Sequence, residues 1–399
     1  MSTLGRRRWG KTIVMDALPI VAVDLTAIPA NAVGVGRYVQ GFLGSMTDAD
    51  TATFSLRGLA RVEDQRKFVS DTVQVGPSGS RLKRLVWEQT GLPRYLRRSG
   101  VAVHHGVHYT LPLMTARGRD IKTVATIHDC TFFDHPEWHQ RSKAIMFRHA
   151  IRSAAKRADA LICVSQFTAD RLLAHTSPKQ DIHVIPHGVD TMRFCPTESL
   201  TQSQLVDDQA ALERLGLDAG QYVLYVGTLE PRKGVAQLIG AFDRVAARHP
   251  DVKLVLAGKR GWGLDVIDCA LDVAKHRDRI VELGFVADDD VAVLYRGARV
   301  VTYPSEEEGF GLPALEAIAC GAPLITTSGS AIEEAVGDAA ILVKPDDQSQ
   351  LADAIDALLH ESPDALANAQ RRERGIQRAQ LATWHASSLA HAAVYRSLL

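Results

Sequence analysis

"RVVTYPSEEEGFGLPALEAIACGAPLIT" (residues 299–326) reads as strand, loop, helix and strand within 28 residues. The β-branched run ends at Pro304. A helix begins near Pro313, a favoured first-turn residue, and stops at Gly321, a favoured terminator. The next apolar run, "PLITT", is short enough for a buried strand. Strand, helix and strand joined by short turns form the repeating unit of a parallel sheet. The turn Gly309–Phe310–Gly311–Leu312 aims backbone N–H groups beyond the end of the first strand. Glu308 precedes the helix and Glu316 lies one turn inside it.

The same rhythm runs outward in both directions. In the first half, "IVAVDL", "TFSLRGL", "VAVHHG", "KTVATIHD", "ALICVS" and "DIHVIP" read as strands, with helices such as "GRYVQGFLGSM" and "RSKAIMFRHAIRSAAKRA" between them. In the second half the strands are "YVLYVGT", "KLVLAG", "RIVELGF", "RVVTYP" and "PLITT". Short Val/Ile/Leu-rich strands alternating with amphipathic helices indicate doubly wound parallel sheets, an α/β fold. The chain has 399 residues, a length that suits two domains. We expect Rossmann-like domains at 20–190 and 217–375, a polar linker or loosely packed crossover at 191–216 and one amphipathic helix at 376–399. Residues 1–19 form a basic tail, with Met15 as an alternative start.

Composition narrows the class. No apolar run reaches the roughly 18 residues of a membrane-spanning helix. Five cysteines without C-x-x-C spacing point to a reduced, cytoplasmic protein without a zinc site. Net charge is zero, yet residues 1–190 hold 26 Lys and Arg against 16 Asp and Glu, and the remainder hold 20 against 30. A basic first half suits an anionic partner, such as a membrane or a phosphate-bearing acceptor. The stretch 81–100 adds Arg81, Lys83, Arg84, Arg94, Arg97 and Arg98 to Leu82, Leu85, Val86, Leu92 and Leu96, as an interfacial segment would. The alternative is that the apolar residues face the core.

Ligands of doubly wound sheets bind beyond the carboxyl ends of the strands, and the distinctive residues cluster there. Gly34 and Gly36 precede a helix that starts near Arg37. Val39 breaks the G-x-G-x-x-G pattern, which argues against a dehydrogenase. His128 ends a strand, and "HHGVH" (104–108) reads as cleft lining. Thr228 follows another strand, and Arg232 and Lys233 stand before a helix, where two cations suit a diphosphate. Glu308 and Glu316 can accept hydrogen bonds from sugar and ribose hydroxyls. "DDD" at 288–290 reads as a helix-start cap rather than a metal site.

These stretches, in this order, resemble retaining glycosyltransferases of family four. The resemblance rests on the E-x7-E spacing of Glu308 and Glu316 and on "GVGRYV", "TIHD", "ADALICVSQFTADRL", "VIPHGVDTMRF", "VGTLEPRKG" and "GSAIEEAVGDAAILVKPDD". It implies the GT-B fold, with a nucleotide-diphosphate sugar on the second domain, a glycan or lipid-linked acceptor on the first, and a last helix crossing back around Trp384 and Tyr395. It implies that Glu308 contacts the donor sugar and Glu316 the ribose. Arg232 and Lys233 would neutralise the diphosphate, and His128 would sit beside the reacting centre. Gly34 and Gly36 would close over the phosphates, and the Gly309–Leu312 turn would hold the donor. Thr228 stands where many members carry Arg. No metal, cofactor or nucleic acid is expected. The donor expected is GDP-mannose; a UDP-sugar, or a non-catalytic nucleotide-sugar-binding protein, is the alternative.

Overall fold

The computed structural model describes residues 18–28, 34–62, 64, 69–77, 79, 81–112, 120–362 and 365–399. The expected basic tail lies outside them except for Leu18 and Pro19. Seven strands form the first sheet: β1 (Ile20–Asp24), β2 (Ser55–Arg61), β3 (Asp71–Val75), β4 (Val101–Gly106), β5 (Lys122–Ile127), β6 (Ala160–Cys163) and β7 (Ile182–Val184), in the order β3-β2-β1-β4-β5-β6-β7. Six form the second: β8 (Tyr222–Val226), β9 (Lys253–Ala257), β10 (Ile280–Gly284), β11 (Val300–Tyr303), β12 (Leu324–Thr327) and β13 (Ala340–Val343), in the order β10-β9-β8-β11-β12-β13. Each pairing within them is parallel. Their central strands are buried on both faces, which is why they read as unbroken apolar runs.

Helices cover both sheets. The first domain carries α1 (Val35–Gly44), α2 (Arg81–Arg98), α3 (Thr131–Asp134), α4 (Arg141–Arg157) and α5 (Gln166–His175). The second carries α6 (Gln202–Arg214), α7 (Val235–Ala246), α8 (Asp265–Val273), α9 (Asp288–Gly297), α10 (Leu312–Ala319), α11 (Ala331–Val336), α12 (Gln348–His360) and α13 (Leu366–Leu381), and α14 (Trp384–Leu398) ends the chain. No helix among the described residues is long and apolar enough to cross a membrane.

Several expectations need correction. Strands β3 and β13 were not anticipated. The stretch read as a linker holds α6, whose Thr201 and Gln204 form a capping box and whose Ala211 and Leu212 join the second core. The tail is two helices rather than one. Helix α13 runs past residue 375 to Leu381, and Thr383 then caps α14 by accepting from the Ala386 N–H at 3.1 Å. On α2, Leu92 and Leu96 are fully buried; they pack in the core because they share its inner face, while Lys83, Val86, Arg94, Arg97 and Arg98 stay exposed.

Helix α14 belongs to the first domain's core. Its Ala392, Val394 and Tyr395 pack with Val21, Val103, Val124 and Ile162. A buried polar network fixes its register. His391 Nε2 lies 2.7 Å from the Tyr38 hydroxyl, which lies 3.0 Å from Thr126 Oγ1. His105 bridges Thr126 Oγ1 and the Tyr395 hydroxyl at 2.7 Å each. Burial lowers His391 to about 4 and His105 well below its ordinary value. Both rings are therefore neutral, as an unpaired buried imidazole must be. The chain crosses between domains near Val189 and again at Thr383, and the crossings lie side by side: the Val189 N–H donates to the Ala382 carbonyl at 2.8 Å.

Candidate functional site

In each sheet the strand order reverses beside the first strand of the domain, between β1 and β4 and between β8 and β11. A crevice opens at such a switch point, and the loops that leave these strands carry the expected residues. In the second domain the loop after β8 makes a single turn of tighter helix at Pro231–Lys233, ended by Gly234 at φ 68°. The loop after β11 holds Glu308 and ends at Gly311, whose φ of 97° favours glycine. Helix α10 then begins at Leu312, with Pro313 in its first turn.

These two loops converge on one carboxylate. Glu308 Oε1 accepts from Lys233 Nζ, from Ser305 Oγ at 2.7 Å and from the Tyr303 hydroxyl at 3.0 Å, and Arg232 Nη1 stands 3.7 Å away. Burial pushes Glu308 up, but the Lys233 and Arg232 cations outweigh it and bring the carboxyl down to about 2. The group is therefore ionised at neutral pH, with its two cations beside it. Arg232 is also tied to Glu230 at 3.1 Å.

Across the cleft, His128 follows β5. Its Nε2 lies 2.7 Å from the Val107 carbonyl. A carbonyl only accepts, so Nε2 carries the proton and Nδ1 is the acceptor nitrogen. Burial lowers the His128 pKa, which keeps the ring neutral. The domains touch here. A Cβ on Gly309 would lie 1.6 Å from the His128 carbonyl oxygen, so only glycine allows this approach. Ser165 Oγ donates to the Gly309 carbonyl at 2.8 Å. Phe310 packs on the His187 ring with centroids 4.8 Å apart.

Glu316 lies deeper, on α10. Arg37, from the first turn of α1, donates to Glu316 Oε1 at 2.6 Å and also pairs with Asp288. Burial dominates over Arg37 and raises Glu316 to about 7. Its Oε2 is buried without a hydrogen-bond partner among the described residues.

The structure thus brings Arg232, Lys233, Glu308 and the Gly309–Leu312 turn to one side of the cleft and His128 to the other. Glu316 is set apart by the Arg37 pair. Gly34, at φ 54°, is the residue before α1, whereas Gly36 is inside the first turn because the helix starts at Val35 rather than near Arg37. The loop before Gly34, residues 29–33, lies outside the described residues. Thr228 borders the loop after β8, where its side chain crowds Gly261 and its carbonyl accepts from the Tyr225 hydroxyl at 3.0 Å. Asp288–Asp290 sit inside the first turn of α9, not at its cap. Of "HHGVH", His104 and His105 are fully buried in the sheet.

Sequence reasoning missed Arg37, Ser165, Glu307 and Glu334. Glu334 of α11 accepts from the Gln166 and Phe167 N–H groups at 2.8 and 3.0 Å, so one domain caps a helix of the other. Ser165 carried a local signal as the N-cap of α5. Burial raises Glu307 to about 6, and its Oε2 lies 3.4 Å from His135 Nε2. Among the described residues the one grouping with metal-ligand proximity is His249, in the loop after α7, with Asp356 and His360 of α12.

Comparison with known proteins agrees with the two-domain fold. The model for "Glycosyltransferase Family 4" matches residues 33–193, and that for "Glycosyl transferases group 1" matches residues 209–380. O-antigen chain mannosyltransferase B of Escherichia coli is 30% identical over 287 residues, covering 71% of each chain. Glycogen synthase of Mycobacterium tuberculosis is 29% identical over 370 residues, covering 87% of this chain and 81% of that one. Sucrose-phosphate synthase from Thermosynechococcus elongatus superposes with a TM-score of 0.76 at 22% identity, covering 96% of this chain and 99% of that one. Two parallel-sheet domains, the loops that meet at their switch points and these matches lead to one assignment: the chain belongs to the glycosyltransferases of the GT-B fold, with a family-four first half and a group-one second half.

Proposed function

We propose that the protein is a retaining, metal-independent hexosyltransferase that uses a nucleotide-diphosphate sugar, with GDP-mannose as the donor. The observation that supports this reading best is the grouping of Glu308, Lys233 and Arg232 against the Gly309–His128 contact. Transfer breaks the bond between the anomeric carbon and the diphosphate oxygen. It forms a bond from that carbon to an acceptor hydroxyl, whose proton leaves with the nucleoside diphosphate. Negative charge grows on the departing diphosphate, where Lys233, Arg232 and the start of α10 lower the barrier electrostatically. Glu308, ionised and buried, accepts from the sugar hydroxyls and favours the oxocarbenium character of the transition state. Glu316 accepts from the ribose once Arg37 yields its oxygen, and Gly34 and Gly36 line the phosphates from the first domain. A neutral His128 offers an acceptor atom beside the reacting centre. The O-antigen mannosyltransferase relative favours mannose. The acceptor is a glycan or lipid-linked hydroxyl met in the cytoplasm, and the exposed basic face of α2 provides a peripheral membrane contact.

The test is a hydrolysis and transfer assay with GDP-mannose, UDP-glucose and UDP-N-acetylglucosamine, followed by NMR of the product's anomeric configuration. Turnover of GDP-mannose with retention supports the reading. Preference for a UDP-sugar corrects the donor, inversion refutes the mechanism, and binding without turnover of any donor makes this a non-catalytic member.

A further inference from the structure

Helices α7 and α12 pack against each other. Helix α7 follows β8 and α12 follows β13. In a parallel sheet such helices leave the carboxyl ends of the strands and run back towards the amino ends. Two arginines show where these two finish. Arg279, the residue before β10, donates from Nη1 to the His249 carbonyl at 2.8 Å. Arg299, the residue before β11, donates from Nη2 to the Leu359 carbonyl at 3.2 Å and to the Glu361 carbonyl. The ends of α7 and α12 therefore meet at the amino ends of the strands, on the far side of the second domain from the cleft. Two helix C-termini come together there, and the free carbonyls of such ends carry partial negative charge that favours a cation.

Three side chains with metal-ligand chemistry converge at this edge. Asp356 and His360 are one turn apart on α12 and so share a face, and His249 meets them from the loop after α7. His249 Nε2 lies 2.9 Å from Asp356 Oδ1, and His360 Nδ1 lies 3.5 Å from the same oxygen. All three ligand atoms lie within 4.8 Å of one another. Donor atoms at roughly 2.0–2.1 Å from a tetrahedral Zn²⁺ are about 3.3 Å apart, a spacing the two observed separations bracket. The imidazole planes stand at 74° with centroids 4.6 Å apart, so the rings do not stack. Two imidazoles and one carboxylate suit Zn²⁺, with water as a fourth ligand, whereas Mg²⁺ and Ca²⁺ take oxygen ligands. One group opposes a metal. Arg248 Nε and Nη2 each stand 3.1 Å from Asp356 Oδ1, but the side chain is 53% exposed and can turn into solvent.

We infer that His249, Asp356 and His360 form a structural Zn²⁺ site that clamps the end of α7 to the end of α12. The ion replaces the proton between His249 Nε2 and Asp356 Oδ1, and the proton that His360 Nδ1 directs at the Asp356 carbonyl 2.9 Å away. Each ring keeps one proton on its other nitrogen, and the displaced protons go to solvent. Cysteine spacing, which gave no sign of zinc, is silent on a site built from histidines. The ion sits at the opposite edge of the domain from Lys233 and Glu308, so transfer itself stays metal-independent, and the inference stands or falls separately from the transferase reading.

The experiment uses the full chain without an affinity tag, stripped with EDTA and dialysed. It is titrated calorimetrically with Zn²⁺ and, for contrast, Mg²⁺, and melted with and without Zn²⁺. The expected result is saturable binding of one Zn²⁺ per chain, no binding of Mg²⁺, and a higher Tm with Zn²⁺, because an ion that binds the folded chain stabilises it. His360→Ala, His249→Gln and Asp356→Asn should each weaken Zn²⁺ binding about 10-fold or more and remove the rise in Tm. Arg248→Ala should strengthen binding, since it frees Asp356 from a competing cation. Absence of saturable Zn²⁺ binding, equal binding of Mg²⁺, binding that survives both His360→Ala and His249→Gln, or weakening by Arg248→Ala overturns the inference. His360 is exposed, so His360→Ala remains a folded test if Asp356→Asn does not fold.

Discussion

Replacing Glu316 with Gln should make the protein more stable at alkaline pH while weakening its hold on nucleotide. In the folded chain burial holds the Glu316 carboxyl at about 7, against an ordinary value of 4.5. Folded protein thus keeps a proton that unfolded chain has released between those two values. Stability from this group is complete below pH 4.5 and is lost as pH rises through 7. At about 1.4 kcal/mol per pH unit, the full gap is worth about 3 kcal/mol. The Arg37 side chain is 25% exposed, so solvent screening reduces the expected difference to about 2–3 kcal/mol. Gln cannot ionise, and Arg37 keeps Asp288 as a partner. Glu316→Gln should therefore match wild type at pH 4.5 and exceed it by about 2–3 kcal/mol at pH 8.5, or about 4–12 °C in Tm for a domain of this size. Glu308 and Glu307 titrate in both proteins and cancel in the difference. Thermal melts of both proteins from pH 4.5 to 8.5 measure it. In the same preparation nucleotide affinity should fall about 10-fold or more, as loss of a hydrogen bond to a charged group implies. A variant less stable than wild type at pH 8.5, or a difference that does not grow with pH, refutes the argument that burial dominates at Glu316.

Lys233→Ala and Arg232→Ala should each lower turnover by about 10²-fold, since each removes a cation from the departing diphosphate; a fall in Tm with unchanged turnover would make both purely structural. Gly309→Ala should lower turnover by about 10²-fold, because its Cβ meets the His128 carbonyl and displaces one domain from the other. Near-normal turnover in that variant would show that the Gly309–His128 contact is dispensable. Activity should persist in EDTA, and loss restored by Mg²⁺ or Mn²⁺ would replace the cation argument with a metal. Anionic but not neutral vesicles should co-sediment the protein, less so in high salt and in Arg97→Glu with Arg98→Glu; equal, negligible pelleting would leave the basic face of α2 merely solvated.

Central strands could be read directly because burial on both faces demands continuous apolar sequence. The two that escaped notice, β3 and β13, are sheet edges with mostly half-exposed residues, where that demand relaxes. Helix α6 was hidden by its polar outer face, although its capping box was written at Thr201 and Gln204. Arg232, Lys233 and Glu308 were legible because each stands on a loop just beyond a strand end, so local sequence is enough to place it. Arg37 was not. Its partner Glu316 is 279 residues away, and their meeting depends on how two domains face each other, which no local pattern encodes. Gly309 read as a phosphate-turn glycine; that it also makes room for the His128 carbonyl follows only from the same juxtaposition.

The position of α14 has a consequence for biosynthesis. The first domain's sheet leaves the ribosome early, but Tyr395 and His391, which complete the network around Thr126, His105 and Tyr38, are translated after the whole second domain. About 200 residues separate the end of β7 from the start of α14, which at about 5–20 residues per second is an interval of about 10–40 s. During that interval Val21, Val103 and Ile162 lack their α14 cover. The nascent first domain therefore presents an apolar, partly polar groove to the cell until synthesis passes Trp384. Slow codons or a stall within the second domain should lengthen its exposure to chaperones and proteases, and loss of the last helix should make it permanent.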